Sequence, residues 1–307
     1  MLDLQLDAMM KQARAAGLPD LCDLPPPAAR GLYRQILAAA DRPPADVQVQ
    51  DRQPAGFRLR IYTPPGSGPH GVVVYFHGGG YVLGDVEGYD SVCRQLCLDS
   101  AAVVVSVDYR LAPEHPFPAG IEDAVAAARW VVANASELGG NGTVAVAGDS
   151  AGGNFCAVVT QQLRDAGIPL AAQFLIYPAV DHAAAEYASA EQNAKGYFLE
   201  AETMAWFYNH YAGACPDALD PRLAPLQARS LANLPPALIV NAEFDPLRDQ
   251  GAAYAEALRA AGGQAELIEG AGMIHGFFDM GRWSPGAQAV ITRSIERFAA
   301  LLKTRTH

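Results

Sequence analysis

Three runs of consecutive apolar residues, Val72-Val73-Val74-Tyr75-Phe76, Val103-Val104-Val105-Ser106-Val107 and Ala237-Leu238-Ile239-Val240, set the strongest constraint on how this chain can fold. A strand without alternation has no face to give to water, so it must be covered on both sides, as happens in parallel sheets flanked by helices. The residues between the runs carry helical spacing over 88–99, 119–135, 152–166 and 248–261, so a strand-turn-helix-turn unit repeats through most of the chain. The expected fold class is α/β: a doubly wound, mostly parallel central sheet with helices on both faces. Alternation in Phe57-Arg58-Leu59-Arg60-Ile61-Tyr62 adds one half-exposed antiparallel strand. With 307 residues, half of them hydrophobic, the chain can bury one large core.

The net charge of -11, with no clustered Lys and Arg, speaks against nucleic acid or an anionic membrane surface as a partner and for small molecules that are neutral or cationic. The start, Met1-Leu2-Asp3-Leu4-Gln5-Leu6-Asp7, carries acids where a secretory leader is basic, and no stretch of about 18 apolar residues follows. The expectation is a cytoplasmic protein without a membrane span. Five cysteines (Cys22, Cys93, Cys97, Cys156, Cys215) are odd in number and lack C-x-x-C spacing, so neither a disulfide framework nor a zinc site is expected. Cys93 and Cys97 fall on one helix face as small buried groups.

Residues 1–45, helical around Pro25-Pro26-Pro27, and residues 180–225, aromatic-rich after Tyr177-Pro178, stand outside the β/α rhythm. Together they read as a cap: 1–45 its N-terminal part, and about 180–225 an insertion into a catalytic domain spanning 46–307. Tyr197, Phe198, Trp206, Phe207, Tyr208 and Tyr211 could line an apolar pocket there, but aromatics at helical spacing are more often packing, and none is assigned to the site. Pro64-Pro65-Gly66-Ser67-Gly68-Pro69 reads as a loop between strands, with His70 in it.

The pentapeptide Gly148-Asp149-Ser150-Ala151-Gly152 follows the strand-like Thr143-Val144-Ala145-Val146-Ala147 and precedes a helical stretch. A serine at the tip of such a turn projects its hydroxyl outward, and the flanking glycines permit close backbone packing. Ser150 is therefore the candidate nucleophile, and it needs a base and a group to orient that base. Of seven histidines, His307 is terminal, and His182 and His210 sit in the cap. His275, in Ala271-Gly272-Met273-Ile274-His275-Gly276-Phe277-Phe278, follows the strand-like Ala265-Glu266-Leu267-Ile268 and is the candidate base. Gly276 shows no evident turn requirement. For the acid, Asp245 precedes Pro246, which biases it out of the helical region at a loop tip, whereas Asp249 suits a helix start; Glu243 is the runner-up. The order Ser, Asp, His is that of the α/β-hydrolase arrangement. His77-Gly78-Gly79-Gly80-Tyr81 directly follows a strand, and its glycines let backbone amides, with that of Ala151, face a tetrahedral oxyanion. A phosphate-binding loop is the alternative, but the G-x-G-x-x-G and Lys-Ser/Thr patterns are missing. His77 reads as loop-fixing.

His77-Gly78-Gly79-Gly80, Asp108-Tyr109-Arg110-Leu111-Ala112-Pro113-Glu114, Gly148-Asp149-Ser150-Ala151-Gly152-Gly153, Asp245-Pro246-Leu247-Arg248-Asp249 and His275-Gly276-Phe277, in this order, resemble the hormone-sensitive-lipase-like carboxylesterases of the α/β-hydrolase superfamily. The resemblance runs from about residue 45 to the end. It implies an α/β-hydrolase fold with a helical cap, a triad of Ser150, Asp245 and His275, and oxyanion donors at Gly79, Gly80 and Ala151. It further implies short- to medium-chain acyl esters as substrates, no cofactor or metal, and frequent homodimers paired through a sheet edge. The Asp108–Glu114 stretch would prop the glycine loop, leaving His115 a packing or loop role. Two rivals share the scaffold: a catalytically silent small-molecule-binding protein, and an amidase or peptidase.

Overall fold

The computed structural model describes residues 1–41, 46–54, 56–181, 186–215 and 217–303. Eight strands form one sheet: β1 (Gln48–Arg52), β2 (Arg58–Thr63), β3 (His70–Phe76), β4 (Val103–Asp108), β5 (Gly140–Asp149), β6 (Gln173–Ile176), β7 (Ala237–Phe244) and β8 (Ala265–Ile274). Their order is β1-β2-β4-β3-β5-β6-β7-β8, antiparallel at β1/β2 and β2/β4 and parallel elsewhere. The α/β class expected from the apolar runs is the one observed. β4 illustrates why: Val103–Val107 is buried at every residue, as covering on both faces requires.

The helices are α1 (Leu4–Ala15), α2 (Pro26–Ala40), α3 (Asp90–Ser100), α4 (Ala119–Asn134), α5 (Ala151–Asp165), α6 (Ala188–Gln192), α7 (Ala201–Ala212), α8 (Arg248–Ala260) and α9 (Pro285–Lys303). Side-chain alternation along β6 shows two covering layers. Gln173 meets Thr160 of α5 at 3.3 Å, while the next residue, Phe174, stacks on Phe298 of α9 with ring centroids 4.9 Å apart. Cys93 and Cys97 are both buried on α3, as their spacing suggested. The two segments outside the β/α rhythm touch each other: Thr203 Oγ1 of α7 lies 3.6 Å from Cys22 Sγ, and Arg14 of α1 4.0 Å from Glu200. Among the described residues, no helix is long and apolar enough to cross a membrane.

Several boundaries differ from the sequence reading. β1 was not foreseen, because Gln48–Arg52 is polar and mostly exposed at a sheet edge. His70 is not in the proline-glycine loop but opens β3, with Nδ1 3.2 Å from the Ala101 carbonyl oxygen. β7 and β8 run on to Phe244 and Ile274, well past their apolar cores, through a register shift between Ala242 and Phe244. That extension carries Asp245 and His275 to the ends of neighbouring strands.

One close approach positions everything that follows. A Cβ on Gly152, in the first turn of α5, would lie 1.9 Å from the Phe76 carbonyl oxygen, and one on Gly148 would lie 2.5 Å from the Gly152 oxygen. The start of α5 thus sits against the end of β3, closer than any side chain permits. Gly152→Ala is expected to force the backbones apart and destabilise the fold by about 1–3 kcal/mol, the range for overpacking. A urea midpoint equal to wild type would contradict this close approach.

Candidate active site

β5 ends at Asp149, and Ser150 turns the chain into α5 with φ 54° and ψ -116°, a strained left-handed conformation. Ser150 makes no capping bond to its own helix, so its hydroxyl is available to other partners. His275, at the end of β8, places Nε2 2.9 Å from Ser150 Oγ and Nδ1 2.7 Å from Asp245 Oδ2. These residues are 125 and 30 positions apart in the chain, brought together because β5, β7 and β8 are parallel and present their carboxyl ends on one side. Asp245 is 0% exposed and His275 6%. Asp245 is held by more than the proline after it: its Oδ1 accepts the Leu247 amide at 2.8 Å, and its own carbonyl accepts from Asn193 at 3.1 Å. Glu243, the runner-up, is engaged elsewhere, accepting the Gly272 amide at 2.7 Å.

Gly276 does have a turn requirement, contrary to the reading of the sequence. Its φ is +79°, and a Cβ there would press the Phe198 ring at 3.1 Å. The glycine loop after β3 is similar: Gly79 and Gly80 have φ of +106° and +59°, and a Cβ on Gly80 would lie 2.2 Å from the Phe207 ring. Among the described residues, the amides of Gly79, Gly80 and Ala151 donate no hydrogen bond to another group, and all three residues border the cavity that holds Ser150 and His275. An unpaired amide at a cavity wall is an open site for an anionic oxygen.

The cavity measures about 390 Å3. Of the six aromatics between residues 197 and 211, Phe198, Phe207, Tyr208 and Tyr211 line it. Tyr197 packs on Phe244 and Trp206 on His210 instead. Sequence alone could not sort them, because helical spacing is the same for pocket wall and packing. His182 and His307 lie outside the described residues. His115 is exposed, and its amide donates to the Leu111 carbonyl. Among the described residues no cluster of three or more His, Cys, Asp or Glu could hold a metal ion.

Two buried titratable groups support the glycine loop. His77 is sandwiched between Tyr109, at 4.3 Å between centroids, and Tyr89, at 5.3 Å, while the Tyr109 hydroxyl donates to the His77 carbonyl at 2.7 Å. Burial pushes the His77 imidazole down to about 4. Asp149, 3% exposed, accepts from the Tyr75 hydroxyl at 2.7 Å, the Gly78 amide at 2.8 Å and the Tyr89 hydroxyl at 3.2 Å. Burial pushes its carboxyl up to about 6 against the lowering effect of the Tyr75 bond. The sequence assigns Asp149 no role by motif, although an acid closing the buried run from Thr143 to Gly148 is itself a signal.

These two groups make opposite contributions to stability as the pH falls. Between about 6.5 and 4 the unfolded chain protonates His77 and the folded chain does not, so acidification removes stability, on the order of 3 kcal/mol. Asp149 protonates first in the folded chain, so acidification from about 6 to 4 adds stability. His77→Phe keeps a ring between the tyrosines and gives up the Nδ1 contacts with the Gly78 carbonyl at 2.7 Å and the Tyr109 hydroxyl at 3.2 Å, a loss that shifts stability at every pH, while Nε2 has no partner among the described residues. Its unfolding free energy, measured by urea titration, is expected to gain on wild type as the pH drops from 7 to 4.5. A constant difference would show that His77 does not titrate in this window.

A family model described as the alpha/beta hydrolase fold matches residues 73–279. The chain is similar to the carboxylic ester hydrolase LipN of Mycobacterium tuberculosis, at 41% identity over 98% of this chain and 83% of the relative. It is similar also to an ethyl acetate hydrolase of Pseudomonas putida, at 40% identity over 80% of each. A solved structure of a thermostable esterase from Pseudomonas putida superimposes with a TM-score of 0.93 at 35% identity, covering 98% of both chains. The chain belongs to the hormone-sensitive-lipase-like carboxylesterases of the α/β-hydrolase superfamily.

Proposed function

We propose that this chain hydrolyses short- to medium-chain acyl esters through an acyl-enzyme formed on Ser150, with His275 as general base and acid and Asp245 as its orienting partner. The observation that carries this reading is the unbroken line from Asp245 Oδ2 through His275 to Ser150 Oγ, ending in a cavity beside three amides that are unpaired among the described residues. With its Nδ1 proton held by Asp245, His275 offers the Nε2 lone pair to the Ser150 hydroxyl. Ser150 Oγ attacks the ester carbonyl as Nε2 takes its proton, and the carbonyl oxygen becomes an anion facing the amides of Gly79, Gly80 and Ala151. The tetrahedral intermediate collapses, the alcohol leaves with the proton from Nε2, and water repeats the sequence on the acyl-enzyme. The apolar wall of Phe198, Phe207, Tyr208 and Tyr211 suits an acyl or alcohol group of modest length, and residues 1–45 with about 180–225 act as the cap that encloses it.

A fluorophosphonate probe tests the assignment. Stoichiometric labelling of wild type, abolished in Ser150→Ala, together with turnover of nitrophenyl acetate to hexanoate and little turnover of the matching anilides, is the expected pattern. Labelling that survives Ser150→Ala would place the nucleophile elsewhere; no labelling would favour a silent binding protein, and fast anilide cleavage an amidase. The proposal extends to a cytoplasmic enzyme that pairs as a homodimer. Five cysteines without a disulfide suit a reducing compartment, and β8 is an edge strand. A strictly monomeric elution in size-exclusion chromatography removes the second part.

A further inference from the structure

Asp149 has no task in the acyl transfer just described, yet it is the buried residue directly before the nucleophile. The parallel ladder between β3 and β5 ends at the pair Phe76 and Gly148. Beyond that pair β3 leads into the loop carrying Gly79 and Gly80, while β5 passes through the Ser150 turn into α5, which opens on Ala151. The proposed oxyanion hole draws its amides from both segments, so they must be held in register where the ladder no longer does it. Besides the close packing of Gly152 on Phe76, a hydrogen bond joins them there, from the Gly78 amide to Asp149 Oδ1 at 2.8 Å. The fit is tight: a Cβ on Gly78 would lie 2.2 Å from Asp149 Oδ2. The remaining acceptor capacity of the carboxylate is aimed by Tyr75 and Tyr89, and the Tyr89 hydroxyl lies 2.8 Å from that of Tyr33, on α2 in the N-terminal segment.

We propose that Asp149 is a positioning residue: its carboxylate clamps the glycine loop to the nucleophile turn so that amides from two chain segments converge on one oxyanion, and the Tyr89–Tyr33 contact ties that clamp to α2. This rests on the assignment of Gly79, Gly80 and Ala151 as oxyanion donors. Donors of this kind accelerate a reaction only when they are fixed in advance on the place where charge develops. A substrate carbonyl in the ground state asks less of them, so a loosened clamp lowers kcat more than it raises KM. An asparagine at 149 preserves most of the pattern. Its carbonyl oxygen can accept from Tyr75 and Gly78, and its amide can donate to the Tyr89 hydroxyl, which then passes its own proton to Tyr33.

The test measures kcat and KM on nitrophenyl butyrate, affinity for an alkylboronic acid that mimics the tetrahedral intermediate, and the melting temperature. The variants are Asp149→Ala, Asp149→Asn, Tyr89→Phe and Ser150→Ala. Asp149→Ala is expected to lose kcat on the order of 100-fold, the effect of one misplaced oxyanion donor, with KM changed by no more than about threefold. Boronic acid affinity should fall in parallel with kcat. Asp149→Asn should recover most of the loss, and Tyr89→Phe should fall between it and wild type. A folded Asp149→Ala enzyme with wild-type kcat and boronic acid affinity overturns the proposal, as does an Asp149→Asn enzyme as impaired as the alanine variant. If Asp149→Ala does not fold, the Asp149→Asn and Tyr89→Phe pair decides: a drop in kcat for Tyr89→Phe with KM and boronic acid affinity moving as above supports the clamp, and wild-type values in both overturn it. Ser150→Ala separates the levels. If that variant hydrolyses ester like wild type, the acyl-enzyme reading itself fails; if it is inactive while Asp149→Ala is unimpaired, the positioning role alone fails.

Discussion

Ser150→Ala is expected to lower kcat by about a million-fold, the size of loss seen when a triad nucleophile is removed. The structure gives this substitution almost nothing else to disturb. The Ser150 side chain caps no helix, and its hydroxyl is hydrogen-bonded to His275 Nε2. The backbone strain at φ 54° is borne equally by alanine, since both residues carry a Cβ. The melting temperature should therefore stay near that of wild type while ester turnover disappears. Residual activity within about tenfold of wild type would remove Ser150 from the mechanism, because no oxyanion donor alone sustains such a rate.

Asp245→Asn is expected to cost about four decades in kcat with the fold intact. The reason lies in two hydrogen bonds that the carboxylate accepts at once, from the Leu247 amide at 2.8 Å on Oδ1 and from His275 Nδ1 at 2.7 Å on Oδ2. An asparagine has one carbonyl oxygen for these two donors. If that oxygen stays on the Leu247 amide, the side-chain NH2 faces His275 and selects the tautomer with its proton on Nε2, which cannot accept from Ser150. If it flips, the Leu247 amide is left against an NH2 in a site with no exposure to water. The first arrangement removes the base and leaves the structure nearly unchanged, whereas the second keeps the base only by leaving the buried Leu247 amide unpaired, so the first prevails. The check is kcat on a nitrophenyl ester alongside the urea midpoint. Near-normal turnover would mean that His275 is oriented by another group, and Glu243, bonded to the Gly272 amide, would have to be released to reach it.

Much of this site could be read from the chain because its parts are local. Each strand that carries a functional loop ends where an apolar run gives way to glycine, proline or a polar residue, and the chemistry sits in the next few positions: His77 to Gly80 after β3, Asp149 to Ala151 at the end of β5, Asp245 after β7 and His275 after β8. The reading failed where the deciding contact came from elsewhere. Gly276 carries no turn signal in the sequence around it, because what requires a glycine there, a φ of +79° with the Phe198 ring against it, is set by the folded chain. Pro69 and Gly71 on either side make His70 read as loop, and pairing with Gly140 of β5 makes it strand. The six aromatics between residues 197 and 211 split between cavity and packing according to the face each presents after folding.

The sequence by itself therefore determined the β/α alternation, the strand ends at which reactive groups collect, and the residue types gathered there, because periodicity and turn chemistry act over a few neighbouring residues. Tertiary structure alone decided which carboxylate meets His275, which aromatics wall the cavity, and that Asp149 is clasped by Tyr75, Gly78 and Tyr89, donors 74, 71 and 60 positions away. Such contacts follow from strand order and close packing in three dimensions, and no spacing along the chain encodes them.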